Sequence, residues 1–163
     1  MEIEKYRRND ADEIIPGLWL GNFASSRDET FLKEKKIETV FNCTKDLPFS
    51  PIIRNRYRVP VDDNLQEEEI RNLHLWSYEV TYKLIQEMKK GKPVLVHCAA
   101  GMQRSAAVTA MYLIATHRMR PEQAKTYIQT KRPIAFRPGA NFSRSIDGFY
   151  KSFNQEVLPQ LEE

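Results

Sequence analysis

The chain of 163 residues is 41% hydrophobic and 29% charged, with a formal net charge of +3. These values are ordinary for a soluble globular protein, which excludes a disordered chain, and the length suits one domain spanning residues 1–163 with a sizeable core. The longest apolar stretch, residues 106–115, is too short to cross a bilayer, and the start of the chain lacks an apolar signal-peptide segment. We therefore expect an intracellular protein, cytoplasmic or nuclear, without membrane association and with residues 1–12 as a flexible N-terminal arm.

Cysteine and histidine, the usual zinc ligands, are few and scattered in the chain. Two cysteines and three histidines form neither a disulfide framework nor a spacing typical of zinc ligands. The mild net charge gives no reason to expect a nucleic-acid partner. The sequence therefore predicts chemistry without a metal ion or another cofactor.

Strands and a short helix are predicted in the first third of the chain. After a polar start, residues 13–20 indicate one strand, and Ser26-Arg27-Asp28-Glu29 has the form of a capping box for a short helix to about Lys36. Residues 39–42 and 55–59 indicate two further strands.

A long amphipathic helix is predicted next, over residues 67–89. Gly91 and Pro93 are expected to end this helix, and Pro93-Val94-Leu95-Val96 then suits a buried strand. The residues that share one face of the helix are Ile70, Leu73, Ser77, Val80, Leu84 and Met88.

Three helices are predicted after that strand, over about 104–117, 121–131 and 141–158, with Pro121 at a first helical position. Strands that alternate with helices indicate an α/β fold: a central, mainly parallel twisted sheet with helices on both faces, in three layers. Ligands of such sheets bind beyond the carboxyl ends of the strands.

The segment between the strand at 93–96 and the helix at 104–117 has the chemistry of a phosphate-binding loop. Successive N–H groups at a helix N-terminus form a concavity for a tetrahedral anion, and Gly101 lets the backbone curl. Arg104 offers a planar fork of donors to two phosphate oxygens. The same positive field lowers the pKa of Cys98, so a thiolate is placed to attack phosphorus. The predicted phosphate ligands are the Arg104 side chain and the backbone of Ala99, Ala100, Gly101, Met102, Gln103 and Arg104.

The residues His97-Cys98, Gly101 and Arg104-Ser105 match the H-C-x-x-G-x-x-R-S/T signature of cysteine-dependent protein phosphatases. The chain resembles the compact dual-specificity branch of that superfamily. Three flanking segments are similar to the first strand, the second parallel strand and the late loop of this branch: residues 15–21, 39–44 and 136–142. The resemblance implies hydrolysis of phosphotyrosine and phosphoserine or phosphothreonine in phosphorylated protein substrates through a covalent cysteinyl phosphate.

Cleavage of a phosphate ester also needs a proton for the leaving oxygen. The segment Val59-Pro60-Val61-Asp62-Asp63-Asn64, at the end of a strand-like run, offers two carboxyl groups. The acid of the family commonly lies three residues beyond a proline placed like Pro60. The resemblance therefore implies Asp63 as the general acid, with Asp62 as the alternative.

The resemblance implies roles for Ser105, His97 and Asn141, and the position of Cys43 in the chain suggests another. Ser105 donates a hydrogen bond to the departing thiolate, and His97 orients the loop and helps to hold Cys98 ionised. Asn141 either ties the late loop to the phosphate-binding loop or caps the last helix. Cys43 ends a strand that should neighbour the strand of Cys98, and we hypothesise that oxidation joins the two thiols.

Other functions remain open at the level of sequence. A lipid phosphatase of this superfamily often carries lysine inside the loop, and RNA 5′-end phosphatases usually have Thr-Gly after the arginine, whereas this chain has Ser105-Ala106. A non-catalytic pseudophosphatase module typically loses the cysteine, the arginine or the acid. A rhodanese-like sulfur transferase also carries a loop cysteine, but Arg104-Ser105 and the upstream aspartate argue against it.

Charge is unevenly distributed along the chain. Residues 118–151 hold eight Lys or Arg and two acidic residues, whereas residues 62–79 hold six acidic residues and one Arg. We expect most residues of both runs to lie on solvated, exposed faces, whereas a basic zone beside the pocket would attract phosphorylated substrates.

Overall fold

A twisted five-stranded sheet forms the centre of the computed structural model, which describes residues 9–161. Its order is β1-β2-β5-β3-β4, with β5 in the middle. The β2-β5, β5-β3 and β3-β4 pairs are parallel, and β1 is antiparallel to β2 at one edge. The strands are β1 (Ala11–Ile15), β2 (Leu18–Gly21), β3 (Thr39–Asn42), β4 (Asn55–Arg58) and β5 (Val94–His97).

Helices cover both faces of the sheet, but unequally. Two short helices with the loops around them enclose a small core on one face, whereas four longer helices enclose the main core on the other. The predicted α/β three-layer architecture is confirmed. The helices are α1 (Phe23–Arg27), α2 (Glu29–Glu34), α3 (Glu67–Lys89), α4 (Arg104–His117), α5 (Pro121–Lys131), α6 (Ser143–Ser152) and α7 (Leu158–Leu161), with a π-helical turn at Phe153–Val157.

The central strand shows why both faces must be covered. Val94 and Val96 of β5 join the main core, whereas Leu95 points into the small core beside Leu32. Side chains alternate between the faces of a strand, so a strand that is apolar at successive positions must be buried on both. The prediction of a buried strand before the cysteine is therefore confirmed.

The predicted single strand over residues 13–20 is wrong. The segment belongs to a hairpin, in which β1 and β2 are joined at Pro16-Gly17, and Gly17 has φ +86°. Proline cannot donate to a strand ladder and glycine adopts positive φ readily, so the pair forms a turn. The predicted N-terminal arm is too long as well, because Ala11 and Asp12 belong to β1; residues 1–8 lie outside the described part of the chain.

The predicted capping box at Ser26 is also wrong. The side chain of Asn22 caps α1, and the side chain of Asp28 then accepts from Phe31 N–H and starts α2, which ends at Glu34. Two competent capping residues six positions apart therefore divide the segment into two short helices.

The remaining helix boundaries agree with prediction except at the end of the chain. Helices α3, α4 and α5 have the predicted ranges. The last helix begins at Ser143 with Phe142 at the N-cap, so Asn141 is not its cap, and a π-helical turn interrupts it before Leu158. The predicted strand to Val59 ends at Arg58. None of the helices in residues 9–161 is both long and apolar enough to span a membrane.

Candidate active site

The loop from Cys98 to Gln103 connects the end of the central strand β5 to the first turn of α4. Gly101 adopts φ +68°, and a Cβ atom there would lie 2.5 Å from the backbone carbon and oxygen of Gly21. Only glycine avoids both the strained conformation and this clash. The tight curl of the loop against the end of β2 therefore depends on Gly101.

The carbonyl groups of the loop are held from outside. These contacts fix the curl of the chain, in which the N–H groups of Gly101 and Ser105 donate to the Cys98 sulfur, as a site for an anion requires. The donors are His97 Nδ1 to Cys98 O (3.1 Å), Phe23 N to Ala99 O (3.0 Å), Arg132 Nη2 to Ala100 O (3.3 Å), Arg132 Nε to Gly101 O (2.8 Å), Phe136 N to Met102 O (2.8 Å) and Ala107 N to Gln103 O (2.8 Å).

The surroundings of Cys98 favour its thiolate. The residue is 2% exposed, and burial alone opposes ionisation. The guanidinium of Arg104, the Ser105 hydroxyl 3.1 Å from Sγ, and the N–H groups of Ser105 and Gly101 outweigh that effect. Together they hold the pKa of Cys98 below its ordinary value, so the thiol ionises more readily than a free cysteine.

His97 differs in part from its expected role. Burial, together with the charges of Arg58 and Arg104, lowers the pKa of His97 to about 4, against the opposing effect of its hydrogen bond to Cys98 O. The ring is therefore neutral at physiological pH and donates from Nδ1 to that carbonyl. It orients the loop without supplying positive charge to the thiolate.

The guanidinium of Arg104 is partly bound and partly free. Its Nη1 donates to Val61 O at 2.9 Å, whereas its buried Nε has no hydrogen-bond partner among the described residues. An unpaired buried donor is costly, and an oxyanion in the pocket would satisfy it.

The two candidate acids point in different directions. Asp63 lines the pocket together with Cys98 and Arg104, whereas Asp62 points to Lys45, with Oδ2 3.3 Å from its Nζ. Of the two neighbouring aspartates, only Asp63 is among the residues that line the pocket of the thiolate. The geometry favours Asp63.

The late loop connects the acid to the phosphate-binding loop. Asn141 Nδ2 donates to Asp63 Oδ1 at 2.9 Å, and Asn141 N–H donates to Gln103 Oε1 at 2.9 Å. The side-chain amide of Gln103 donates in turn to Gly139 O at 2.8 Å and Arg137 O at 3.2 Å. The structure thus brings Asn141 into contact with both loops.

Sequence reasoning missed the part played by Arg132 and by the side chain of Gln103. Arg132 is fully buried beneath the loop, where Nη1 also pairs with Asp12 Oδ2 at 2.9 Å. Its place in the basic run of residues 118–151 suggested an exposed face. An arginine before a proline, far from the signature in sequence, gives no local sign of such burial.

The pocket has a volume of about 290 Å³. Within the part of the chain that the structure describes, no three His, Cys, Asp or Glu side chains form a metal-binding group. The predicted basic zone is dispersed: Arg137 reaches the pocket wall, whereas Arg144 pairs with Glu67 and Lys125 with Glu122. The lining residues are Asp63, Cys98, Ala99, Ala100, Met102, Gln103, Arg104, Arg137, Pro138 and Asn141; Gly101 is not among them.

Known proteins are similar to this chain in both sequence and fold. The family described as "Dual specificity phosphatase, catalytic domain" matches residues 18–152. The chain belongs to this family. The tyrosine-protein phosphatase vhp-1 of Caenorhabditis elegans is 32% identical over 134 residues, which cover 79% of this chain and 19% of that protein. Dual specificity protein phosphatase 1 of Arabidopsis thaliana is 28% identical over 148 residues, covering 90% and 73%.

The fold of this dual specificity phosphatase domain has solved counterparts. The crystal structure of human DUSP28 superposes with a TM-score of 0.79 at 21% identity, covering 91% of this chain and 98% of that one. The chain thus carries a protein phosphatase catalytic domain, in a family whose reaction proceeds through a cysteinyl phosphate. It spans about a fifth of the length of the nematode relative.

Proposed function

We propose that this protein hydrolyses phosphotyrosine and phosphoserine or phosphothreonine in phosphoproteins in two steps, without a metal ion. The proposal depends above all on the unpartnered Nε of Arg104, a residue that lines the same pocket as Cys98. Such an arrangement suits the three non-bridging oxygens of a phosphoryl group. Family membership supports the breadth toward phosphorylated residues.

In the first step the Cys98 thiolate attacks phosphorus, and an S–P bond forms as the bond to the leaving oxygen breaks. Asp63 donates its proton to that oxygen, so an alcohol or phenol departs rather than its anion. Arg104 and the loop N–H groups stabilise the charge on the equatorial oxygens. The products are a cysteinyl phosphate and the dephosphorylated protein.

In the second step water attacks the cysteinyl phosphate while the Asp63 carboxylate accepts a proton from it. The S–P bond breaks, and the electron pair returns to sulfur. The Ser105 hydroxyl, 3.1 Å from Sγ, then donates a hydrogen bond to the thiolate. Inorganic phosphate leaves, and the starting enzyme is restored.

The direct test is hydrolysis of para-nitrophenyl phosphate with a chelator present. We expect the unmutated protein to be active, Cys98→Ser to be inactive, and Cys43→Ala, the matched cysteine variant, to stay active. Chelator-sensitive activity would contradict the metal-free mechanism. A folded but inactive wild-type protein would instead indicate a phosphate-binding pseudophosphatase module.

Substrate class needs a second measurement. Peptides of one sequence carrying phosphotyrosine, phosphoserine or phosphothreonine are expected all to release phosphate. A lipid or RNA 5′-end phosphatase would prefer phosphoinositides or triphosphate RNA, but the neutral side chains at Ala99, Ala100, Met102 and Gln103 offer no lysine for additional phosphates. Preference for those substrates over every phosphopeptide would overturn the proposal.

We further propose an intracellular location. Cys98 and Cys43 are both free, and a thiolate nucleophile needs a reducing compartment to stay reduced. Microscopy of the tagged protein tests this, and a secreted protein would contradict it.

A further inference from the structure

A buried carboxylate outside the reacting groups lies directly behind the acid loop, the segment Pro60–Asn64. Glu69, in the first turn of α3, is 3% exposed. Its Oε1 accepts the N–H of Asp62 at 3.1 Å, and its Oε2 accepts Lys45 Nζ at 2.8 Å. Glutamate is seldom buried unless its oxygens are satisfied, and here one partner is the backbone of the residue before Asp63.

The acid loop is anchored at successive residues. Asn72 Nδ2 donates to Pro60 O at 2.9 Å and to Glu69 Oε1 at 3.2 Å. Arg104 Nη1 donates to Val61 O at 2.9 Å, and Asp62 N–H is held by Glu69. Asp63 is the first residue after these anchored positions.

Lys45 completes the anchor from the segment after β3. Its Nζ lies 2.8 Å from Glu69 Oε2 and 3.3 Å from Asp62 Oδ2, so one ammonium group joins both carboxylates. The hydrogen bond from Lys45 is the largest influence on Glu69 and lowers the pKa of its carboxyl group against the effect of burial. Glu69 therefore remains an ionised, strong acceptor across the neutral range.

An interaction with the helix dipole does not explain why Glu69 is buried against the acid loop. Acidic side chains in a first turn favour a helix through its dipole, and Glu67 and Glu68 supply that effect from the exposed side. Glu69 is the one of the three that is buried and turned to the acid loop. Asp63 itself is exposed, and apart from the hydrogen bond from Asn141 to its carboxyl group its position depends on how its backbone is held.

We infer that Glu69, together with Lys45, is a positioning residue for the general acid: it binds the backbone of Asp62 and so aims Asp63 at the leaving oxygen. This inference rests on the proposed role of Asp63. A displaced acid cannot protonate a poor leaving group, whereas the nucleophile and the phosphate-binding loop are untouched.

The test compares kcat/KM for two aryl phosphates in the full chain. Phenyl phosphate needs a proton on its leaving oxygen, whereas difluoromethylumbelliferyl phosphate departs largely without one. For Glu69→Ala we expect kcat/KM to fall about tenfold with phenyl phosphate and to stay within about twofold with the activated ester. Inhibition by inorganic phosphate should change less than about twofold, because the loop is intact.

Glu68→Ala is the matched control, one residue away in the same turn but exposed, and should leave both substrates unaffected. Equal losses with both esters, or no loss with phenyl phosphate, would overturn the inference. Asp63→Ala is measured in parallel. If its kcat/KM falls by the same factor with both esters, the assignment of Asp63 as the acid fails, and not the role of Glu69 alone.

Lys45→Ala keeps the inference open to refutation if Glu69→Ala does not fold. The Lys45 side chain is 42% exposed, so its removal leaves no cavity, and folding is checked by thermal unfolding. We expect the same pattern with a smaller loss, about threefold with phenyl phosphate only. The role of this ion pair would be refuted by a folded Lys45→Ala protein whose kcat/KM, relative to the unmutated protein, falls by the same factor with both esters or does not fall with phenyl phosphate.

Discussion

The phosphate-binding loop and the acid loop meet at one pocket but are held in opposite ways. In the first, Cys98, Gly101 and Gln103 are buried, and main-chain and side-chain donors from several elements bind the carbonyl groups of the loop. The second is anchored through Glu69, Asn72 and Arg104, and Asp63 at its tip is exposed. A thiolate needs a fixed field to stay ionised, whereas an acid that exchanges protons with water and with different leaving groups must reach solvent.

Arg104 contacts both loops, so its replacement should have the largest effect. Arg104→Lys keeps the charge but loses the planar fork that can bind Val61 O and the phosphate together. We expect kcat/KM for para-nitrophenyl phosphate to fall about 10³-fold. A loss below about tenfold would mean that charge alone suffices and that the two loops do not depend on this shared contact.

Asp63→Ala should have the next largest effect, because it removes the acid and leaves the phosphate-binding loop intact. We expect kcat with phosphopeptides to fall about 10²-fold to 10³-fold, while inorganic phosphate binds as before. Asp62→Ala, the matched control on the opposite side of the chain, should change kcat less than about threefold; the reverse result would exchange the two assignments.

Ser105→Ala tests the phosphate-binding loop, and its effect on activity should be smaller than that of Asp63→Ala. Ser105 stabilises the Cys98 thiolate, so its removal should raise the pKa of Cys98 and move the onset of iodoacetate alkylation to higher pH. The departing thiolate is also less stabilised, so kcat should fall about tenfold as cysteinyl phosphate accumulates. An unchanged alkylation profile would assign the low pKa to Arg104 and the backbone.

We expect a disulfide between Cys43 and Cys98 to form, and so to affect activity, only after peroxide is added. Cys43 follows β3, its N–H donates to His97 O at 2.8 Å, and β3 and β5 are paired in parallel, so the two cysteines lie at neighbouring positions. Peroxide converts the Cys98 thiolate to a sulfenic acid, and attack by Cys43 then forms a disulfide and releases water. Burial raises the pKa of Cys43, so this second step should be slow.

Intact mass measures the outcome. The disulfide lowers the mass by two hydrogens, and Cys43→Ala should instead add oxygen at Cys98. A wild-type protein that gains only oxygen would contradict the hypothesis and leave Cys43 as a buried side chain of the core.

The parts of the site that are contiguous in sequence were predictable. From His97 to Ser105 the strand end, the curled loop and the first helical turn follow one another, so local rules on glycine, apolar runs and helix termini identify the nucleophile and its arginine. The same holds for α3, whose apolar face and terminating Gly91 define its range. The predicted boundaries of helices and strands were wrong where several local signals competed, as at Asp28 and at Pro16-Gly17.

By itself the sequence determined the chemistry of the loop and the alternation of strands and helices, because both depend on residues close together in the chain. Tertiary structure alone decided that Arg132 lies beneath the loop and that His97 is neutral, and it places Asp63, which the resemblance had implied, rather than Asp62 in the lining of the pocket. Each of these depends on burial or on contacts between distant segments. Packing between distant segments decides how far a side chain is exposed to solvent and in which direction it points, and no local sequence pattern encodes these two properties.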